Sequence, residues 1–202
     1  MNNKDREEAL TLELLEAIEA KSDVTQRHLA DSLGVALGLA NSYLKRCVRK
    51  GLVKIKQAPA NRYLYYLTPK GFAEKSRLTA QYLSYSFSFY RRAGESCARA
   101  FRQCEKAGWT RVGLYGASDL AEIAAIRAAE SKVSVTVVCD PEAEQSSFVS
   151  IPVIRDVAAD GDVHAWILTD FSNPVGALEE LTKHCPRECI VVPDILAMSP
   201  TE

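Results

Sequence analysis

No stretch of this sequence approaches the roughly 18 consecutive apolar residues of a membrane-spanning helix, and Met1-Asn2-Asn3-Lys4-Asp5 is too polar to open a secretory signal. Those absences point to a cytoplasmic protein with no membrane partner. Cysteine is sparse and scattered: Cys47, Cys97, Cys104, Cys139, Cys185 and Cys189 stand mostly in apolar contexts, as thiols packed as small hydrophobes do in a reducing compartment. His184, Cys185 and Cys189 lack a second CxxC-like pair to complete a tetrahedral site, so no metal is expected. Histidine is rarer still. His28, His164 and His184 fall on a predicted helix, a predicted buried strand and a helix end, and no Ser/His/Asp or Cys/His/Asp set can be assembled. The expectation is a chain that is not an enzyme, with His164 as a core residue. Acidic residues are missing from one stretch altogether. Between Lys45 and Arg62 lie seven basic residues and no acidic one.

What is present is unevenly distributed. Residues 1–107 carry 19 Lys and Arg against 11 Asp and Glu, whereas residues 108–202 carry 6 against 15. A half with net charge +8 suits nucleic acid and a half with −9 is repelled by it. The basic half begins with a helix over Asp5–Ala20 whose Leu10, Leu14, Leu15 and Ile18 share one face. Thr25 stands where an N-cap should, Gln26–Leu33 follow as a short helix, and Gly34 ends it. In the next helix Leu37, Ala40, Leu44, Cys47 and Val48 recur at three and four residues, which turns Gly38, Leu39, Asn41, Ser42, Lys45, Arg46 and Arg49 outward. Gly51 closes that helix, and Leu52–Lys56 with Tyr63–Leu67 alternate as two strands around Ala58-Pro59-Ala60-Asn61. Helix, turn, basic helix and hairpin make a winged helix-turn-helix, and the partner it implies is double-stranded DNA. Candidate contacts are Thr25 and Gln26, then Gly38, Asn41, Ser42, Lys45, Arg46 and Arg49, then Lys54, Lys56 and Arg62 in the wing. Asn41, Ser42 and Lys45 are suited to base edges, and Arg46 and Arg49 to phosphates.

Several of these motifs have a family likeness. Val24-Thr25-Gln26-Arg27, His28-Leu29-Ala30, Leu33-Gly34-Val35, Gly51-Leu52-Val53-Lys54, Leu67-Thr68-Pro69-Lys70-Gly71 and Glu74-Lys75-Ser76-Arg77-Leu78-Thr79 resemble MarR-type winged-helix regulators, nearest to an exopolysaccharide-associated group. The resemblance spans about residues 8–92. It implies a transcriptional regulator that binds operator DNA as a homodimer. Ala36 departs from the pattern where a Ser or Thr cap belongs, and Leu39 where a basic residue is usual.

Thr68-Pro69 opens a further helix. Tyr82, Tyr85, Phe87, Phe89 and Tyr90 alternate with serines in a period of two, yet Leu78, Tyr82, Tyr85 and Phe89 also step by four, three and four. Helix is favoured over strand, continuing through the stripe of Cys97, Phe101 and Cys104. The aromatic density suits a dimer interface or a core joining two domains.

From Trp109 the pattern becomes strand and helix in alternation: strands at Arg111–Tyr115, Val133–Cys139, Ile151–Ile154, Val163–Thr169 and Cys189–Val192, with helices over Leu120–Glu130 and Val175–His184. The expected architecture is α/β: a winged helix-turn-helix over residues 1–77, a helical linker and dimerisation segment over 78–107, and a small Rossmann-like parallel α/β domain over 108–202. Gly116-x-Ser118-x-x-Ala121 occupies the place of a GxGxxG fingerprint, and Asp140 ends the second strand where a ribose-binding acid would stand. Candidate ligand residues are Gly116, Ala117, Ser118, Asp119, Asp140, Thr169, Asp170, Phe171, Ser172 and Asn173. Asp119 competes with a phosphate for the helix N-terminus. Val138-Cys139-Asp140-Pro141, Ile151-Pro152-Val153-Ile154 and Val192-Pro193-Asp194 resemble Rossmann-like domains of sugar-nucleotide and surface-polysaccharide metabolism. That likeness implies a nucleotide or nucleotide-sugar effector. Two alternatives stay open, a protein-interaction module without ligand and an NAD(H) redox sensor.

Overall fold

The computed structural model describes residues 3–59, 62–159 and 162–196, and of residues 3–5 and 62 only the backbone. The chain divides into two compact units, Met1–Phe87 and Ser88–Glu202.

In the first unit α1 (Asn3–Ala20), α2 (Gln26–Ser32) and α3 (Leu37–Arg49) precede an antiparallel hairpin of β1 (Val53–Ala58) and β2 (Arg62–Leu67). Thr25 caps α2, its hydroxyl oxygen accepting from the His28 N–H at 3.1 Å. Leu14, Leu15 and Leu29 are fully buried in the core these helices share, each stabilising the fold by about 1.5–3 kcal/mol relative to exposure. In the hairpin Val53 pairs with Leu67 and Ile55 with Tyr65, so one face carries Val53, Tyr65 and Leu67, which meet this core, while Lys54 and Lys56 point the other way and Ile55 stays exposed. Leu37, expected on the buried stripe of α3, is 45% exposed. Its position in the first turn lies short of the covering elements, so the buried stripe is Ala40, Leu44 and Cys47. Loop positions Ala60 and Asn61 lie outside the described residues.

One helix, α4, runs from Pro69 to Lys106, and the boundary between units falls within it. Thr68 opens it by accepting from the Gly71 N–H at 3.0 Å. The aromatic segment 82–90 is helical despite its period of two. Leu78 is buried in the first core, and Ala93, Cys97, Phe101 and Cys104 are buried in the second at helical spacing. Both ends of the segment are thus fixed on helical faces.

The second unit is a six-stranded sheet in the order β5-β6-β4-β3-β7-β8, built from β3 (Arg111–Tyr115), β4 (Ser134–Cys139), β5 (Ser147–Phe148), β6 (Ile151–Ile154), β7 (Ala165–Leu168) and β8 (Ile190–Val191). All neighbours are parallel except β5 with β6. The five parallel strands, numbered by their own sequence, run 3-2-1-4-5, which is Rossmann topology with its switch point between β3 and β7. Side-chain alternation sorts the two faces. Val112, Leu114 and Ile167 meet α4 and α5 (Asp119–Ala128), whereas Tyr115, Trp166 and Leu168 meet α6 (Pro174–His184). Gly113 leaves room for Trp166, since a Cβ there would stand 2.4 Å from the indole. The final described turn, Asp194–Leu196, is held to α4: Ser96 and Arg99 donate to the Asp194 carboxylate, Arg99 at 2.7 Å, and Ser96 accepts from the Ile195 N–H at 3.0 Å. The strand expected at Val163–Thr169 starts only at Ala165, and β5 was not anticipated. His164 is therefore exposed rather than a core residue, accepting from the Thr110 N–H at 3.2 Å.

Candidate functional site

On α3, Gly38, Ser42, Lys45 and Arg49 are exposed and within 60° of one another around the helix by its 3.6-residue period, opposite buried Ala40 and Cys47. A concavity of about 680 Å³ is lined by Ser42, Lys45 and Arg49 together with Gln26, Asn41 and Ile55. Gln26 is braced from behind, its amide donating to the Tyr65 hydroxyl at 3.3 Å. Half-buried Asn41 keeps its side-chain oxygen without a hydrogen-bond partner. Lys54 and Lys56 are exposed on β1, while the Arg62 side chain lies outside the described residues. Arg46 turns elsewhere. Its guanidinium donates to the Glu7 carboxylate of α1 at 2.8 Å, and that hydrogen bond raises its pKa further. The geometry makes it a clamp between α1 and α3 rather than a phosphate ligand.

The second site lies at the carboxyl ends of β3, β4 and β7, where open α/β sheets bind ligands. A cavity of about 440 Å³ opens there, within the range of small-molecule pockets. Gly116 sits at φ +101°, and a Cβ would stand 2.6 Å from the Asp170 nitrogen. Only glycine lets the β3–α5 turn pass so close to the loop after β7. Asp140 joins the loops on the other side, accepting from the Ala117 N–H at 2.9 Å and the Glu142 N–H at 3.0 Å. Ser118 caps α5, accepting from the Leu120 and Ala121 N–H groups and donating to the Thr169 carbonyl at 2.5 Å. Thr169, fully buried, donates to the Tyr115 and Gly116 carbonyls. Asp170 accepts from Ser172 and Asn173, and Asn173 caps α6.

Of the ten candidate ligand residues, Gly116, Ala117, Ser118, Asp140, Asp170 and Ser172 line the cavity. Asp119, Thr169, Phe171 and Asn173 do not: Thr169 is structural, Asn173 is a cap, and Phe171 packs against Phe89 of α4. Tyr115, Glu142 and Glu180 line it without having been singled out. Tyr115 was legible as the last residue of β3, one step before the fingerprint glycine. Glu180 follows Gly176 by one helical turn, a relation visible only once α6 is seated. Burial, together with nearby Cys139, Glu180, Asp140 and Asp170, pushes the Tyr115 phenol up to about 12.

No group of three or more His, Cys, Asp or Glu that could hold a metal occurs among the described residues, and none of their helices is long and apolar enough to cross a membrane.

The chain's first helices match a known family. Residues 8–54 match the model for winged helix-turn-helix DNA-binding. That span is a winged helix-turn-helix. A comparison with curated proteins found no match. Among solved structures, the PcaV transcriptional regulator of Streptomyces coelicolor is 23% identical over 38% of this chain and 57% of its own, with a TM-score of 0.35. MepR, a transcription regulator of the Staphylococcus aureus multidrug efflux pump MepA, is 22% identical over 44% and 62%, with a TM-score of 0.36. This chain thus spans about three fifths of the length of either regulator. Human N-acetylserotonin methyltransferase in complex with SAM is 13% identical over 94% of this chain and 74% of its own, with a TM-score of 0.36. Scores at this level assign neither fold nor reaction, and the fold stands on the topology above. The expectation that the chain is not an enzyme is withdrawn, with an enzyme among the structures it is similar to. The missing Ser/His/Asp set was no ground for excluding catalysis, because transfer between bound molecules can run on positioning alone.

Proposed function

We propose that this chain is a transcriptional regulator of MarR type that binds operator DNA as a homodimer and is controlled by a small molecule in its α/β unit. The observation that carries the DNA reading is the outer face of α3, where Ser42, Lys45 and Arg49 stand together with Gln26 and Asn41 around one concavity. Lys45 and Asn41 are suited to base edges and Arg49 to phosphate. Homodimerisation is supported by α4, whose Tyr82, Leu83, Tyr85 and Phe87 are 45–61% exposed with no charged residue among them. A helix segment that exposes four large apolar side chains with only serines between them calls for a cover. The control reading is supported by the crevice at the switch point and by the loop after β7, which reaches α4 through Phe171 and Phe89. The effector is a nucleoside-type molecule, the class that includes the nucleotides and nucleotide sugars expected from sequence, and the link to polysaccharide metabolism rests on the motif likeness of residues 24–79.

The test is selection of the full chain on random-sequence duplex DNA followed by sequencing. A two-fold symmetric motif with half-sites about 10 bp apart is expected. Absence of any enriched motif would overturn the regulator reading.

A further inference from the structure

We infer that the crevice selects its ligand by charge, taking a nucleoside-type molecule that carries a positive charge and no phosphate. This rests on the sensor reading above and narrows it. Four carboxylates line the cavity, Asp140, Glu142, Asp170 and Glu180, and no Lys, Arg or His does. Most of the backbone N–H groups that would hold a phosphate are already engaged. The Ala117 N–H donates to Asp140, the Leu120 and Ala121 N–H groups donate to Ser118, and Asp119 and Glu122 occupy the first turn of α5. A phosphate at that helix end would meet like charge and no free cation.

Tyr115 adds a second group to the site. The residue is 5% exposed and lines the same cavity, and its hydroxyl, which makes no hydrogen bond among the described residues, is open to whatever enters. A hydroxyl left open at a cavity surface can donate to or accept from a bound molecule. The phenol stays protonated across the physiological range, so it offers a neutral hydrogen-bonding group and adds no charge. A neutral hydroxyl and four carboxylates around one cavity suit ligand hydroxyls and an ammonium or sulfonium centre. Asp140 and Asp170 take part through oxygens whose directions are fixed by backbone N–H groups, so little reorganisation is needed.

The test is calorimetric titration of the full chain at low salt with three compounds of one scaffold: 5′-amino-5′-deoxyadenosine, adenosine and AMP. The amine is expected to bind at least tenfold more tightly than adenosine, and adenosine more tightly than AMP. Tyr115→Phe should weaken the amine about tenfold while leaving the melting curve of the chain in place. Asp170→Asn, which keeps the loop-capping oxygen, should flatten the ranking. AMP binding more tightly than the amine would overturn the charge inference and leave the sensor reading standing. Amine binding unchanged in Tyr115→Phe would place the compound on the acidic surface and overturn the inference. Silence from all three, repeated with uridine analogues, NAD and a nucleotide sugar, would overturn both.

Discussion

The ring of Phe171 meets the ring of Phe89 edge-on, with 5.6 Å between centroids and 77° between planes. Phe171 follows Asp170 of the crevice, and Phe89 sits on α4, so this contact joins the loop after β7 to the long helix. Such pairs contribute about 0.5–1.5 kcal/mol beyond the area they bury. A double-mutant cycle of Phe89→Ala and Phe171→Ala should therefore return a coupling of about that size by denaturant unfolding. Full additivity would show that the rings touch without holding each other.

Gly116→Ala should destabilise the second unit more than Gly108→Ala. Both glycines have positive φ, but a Cβ meets nothing within 4 Å at Gly108 and the Asp170 backbone at Gly116. Gly108→Ala carries only the conformational cost, about 1 kcal/mol or more, while Gly116→Ala must also push the loops apart. Thermal melts rank the pair, and equal losses would contradict the close approach.

Three basic residues of α3 should behave differently in DNA titrations. Arg49→Ala should weaken every sequence alike and reduce the salt slope by about 1. Lys45→Ala should relax sequence preference, and an equal loss on all sequences would refute its base-edge role. Arg46→Ala should leave the salt slope nearly unchanged and cost at most about 1 kcal/mol of stability, because its partner is Glu7 on a partly exposed surface.

Raised thiol pKa values give a pH signature. Burial pushes Cys97 and Cys104 up to about 11 and Cys139 up to about 12, from an ordinary 9.0. Below pH 9 these thiols are protonated in both states. Above it the unfolded chain loses protons that the folded chain keeps, so stability falls as pH rises from about 9 toward 12. Both tryptophans, Trp109 and Trp166, lie in the second unit, so their fluorescence reports it directly. A melting temperature flat from pH 8 to 11 would contradict this burial.

The sequence made the strand order of chemistry easier to see than its contacts. The short apolar run of Val112, Leu114 and Tyr115, and the turn glycine after it, were sufficient to place β3, α5 and the crevice. Helical spacing on α3 showed its outer face, but it could not set Arg46 apart from Lys45 and Arg49, because the partner that does so is Glu7 on α1. Leu37 was misplaced for a related reason: periodicity marks a face but not how far its cover extends. The crevice was half legible. Gly116, Ser118 and Asp140 follow from their places at strand ends. The spending of Ser118 on the Thr169 carbonyl and of Asp140 on the Ala117 N–H depends on the parallel register of β3 with β4 and β7, which no local pattern encodes.

Because α4 contributes Leu78 to one core and Ala93, Cys97, Phe101 and Cys104 to the other, the chain has no cut point in its loops that yields two intact pieces. A fragment beginning at Thr110 would leave Val112 and Leu114 without the helix that covers them. One beginning at Ser88 keeps that cover. Limited proteolysis should follow the same logic, with early cleavage confined to segments outside α4 and any nick within it dissolving the α/β unit as a whole.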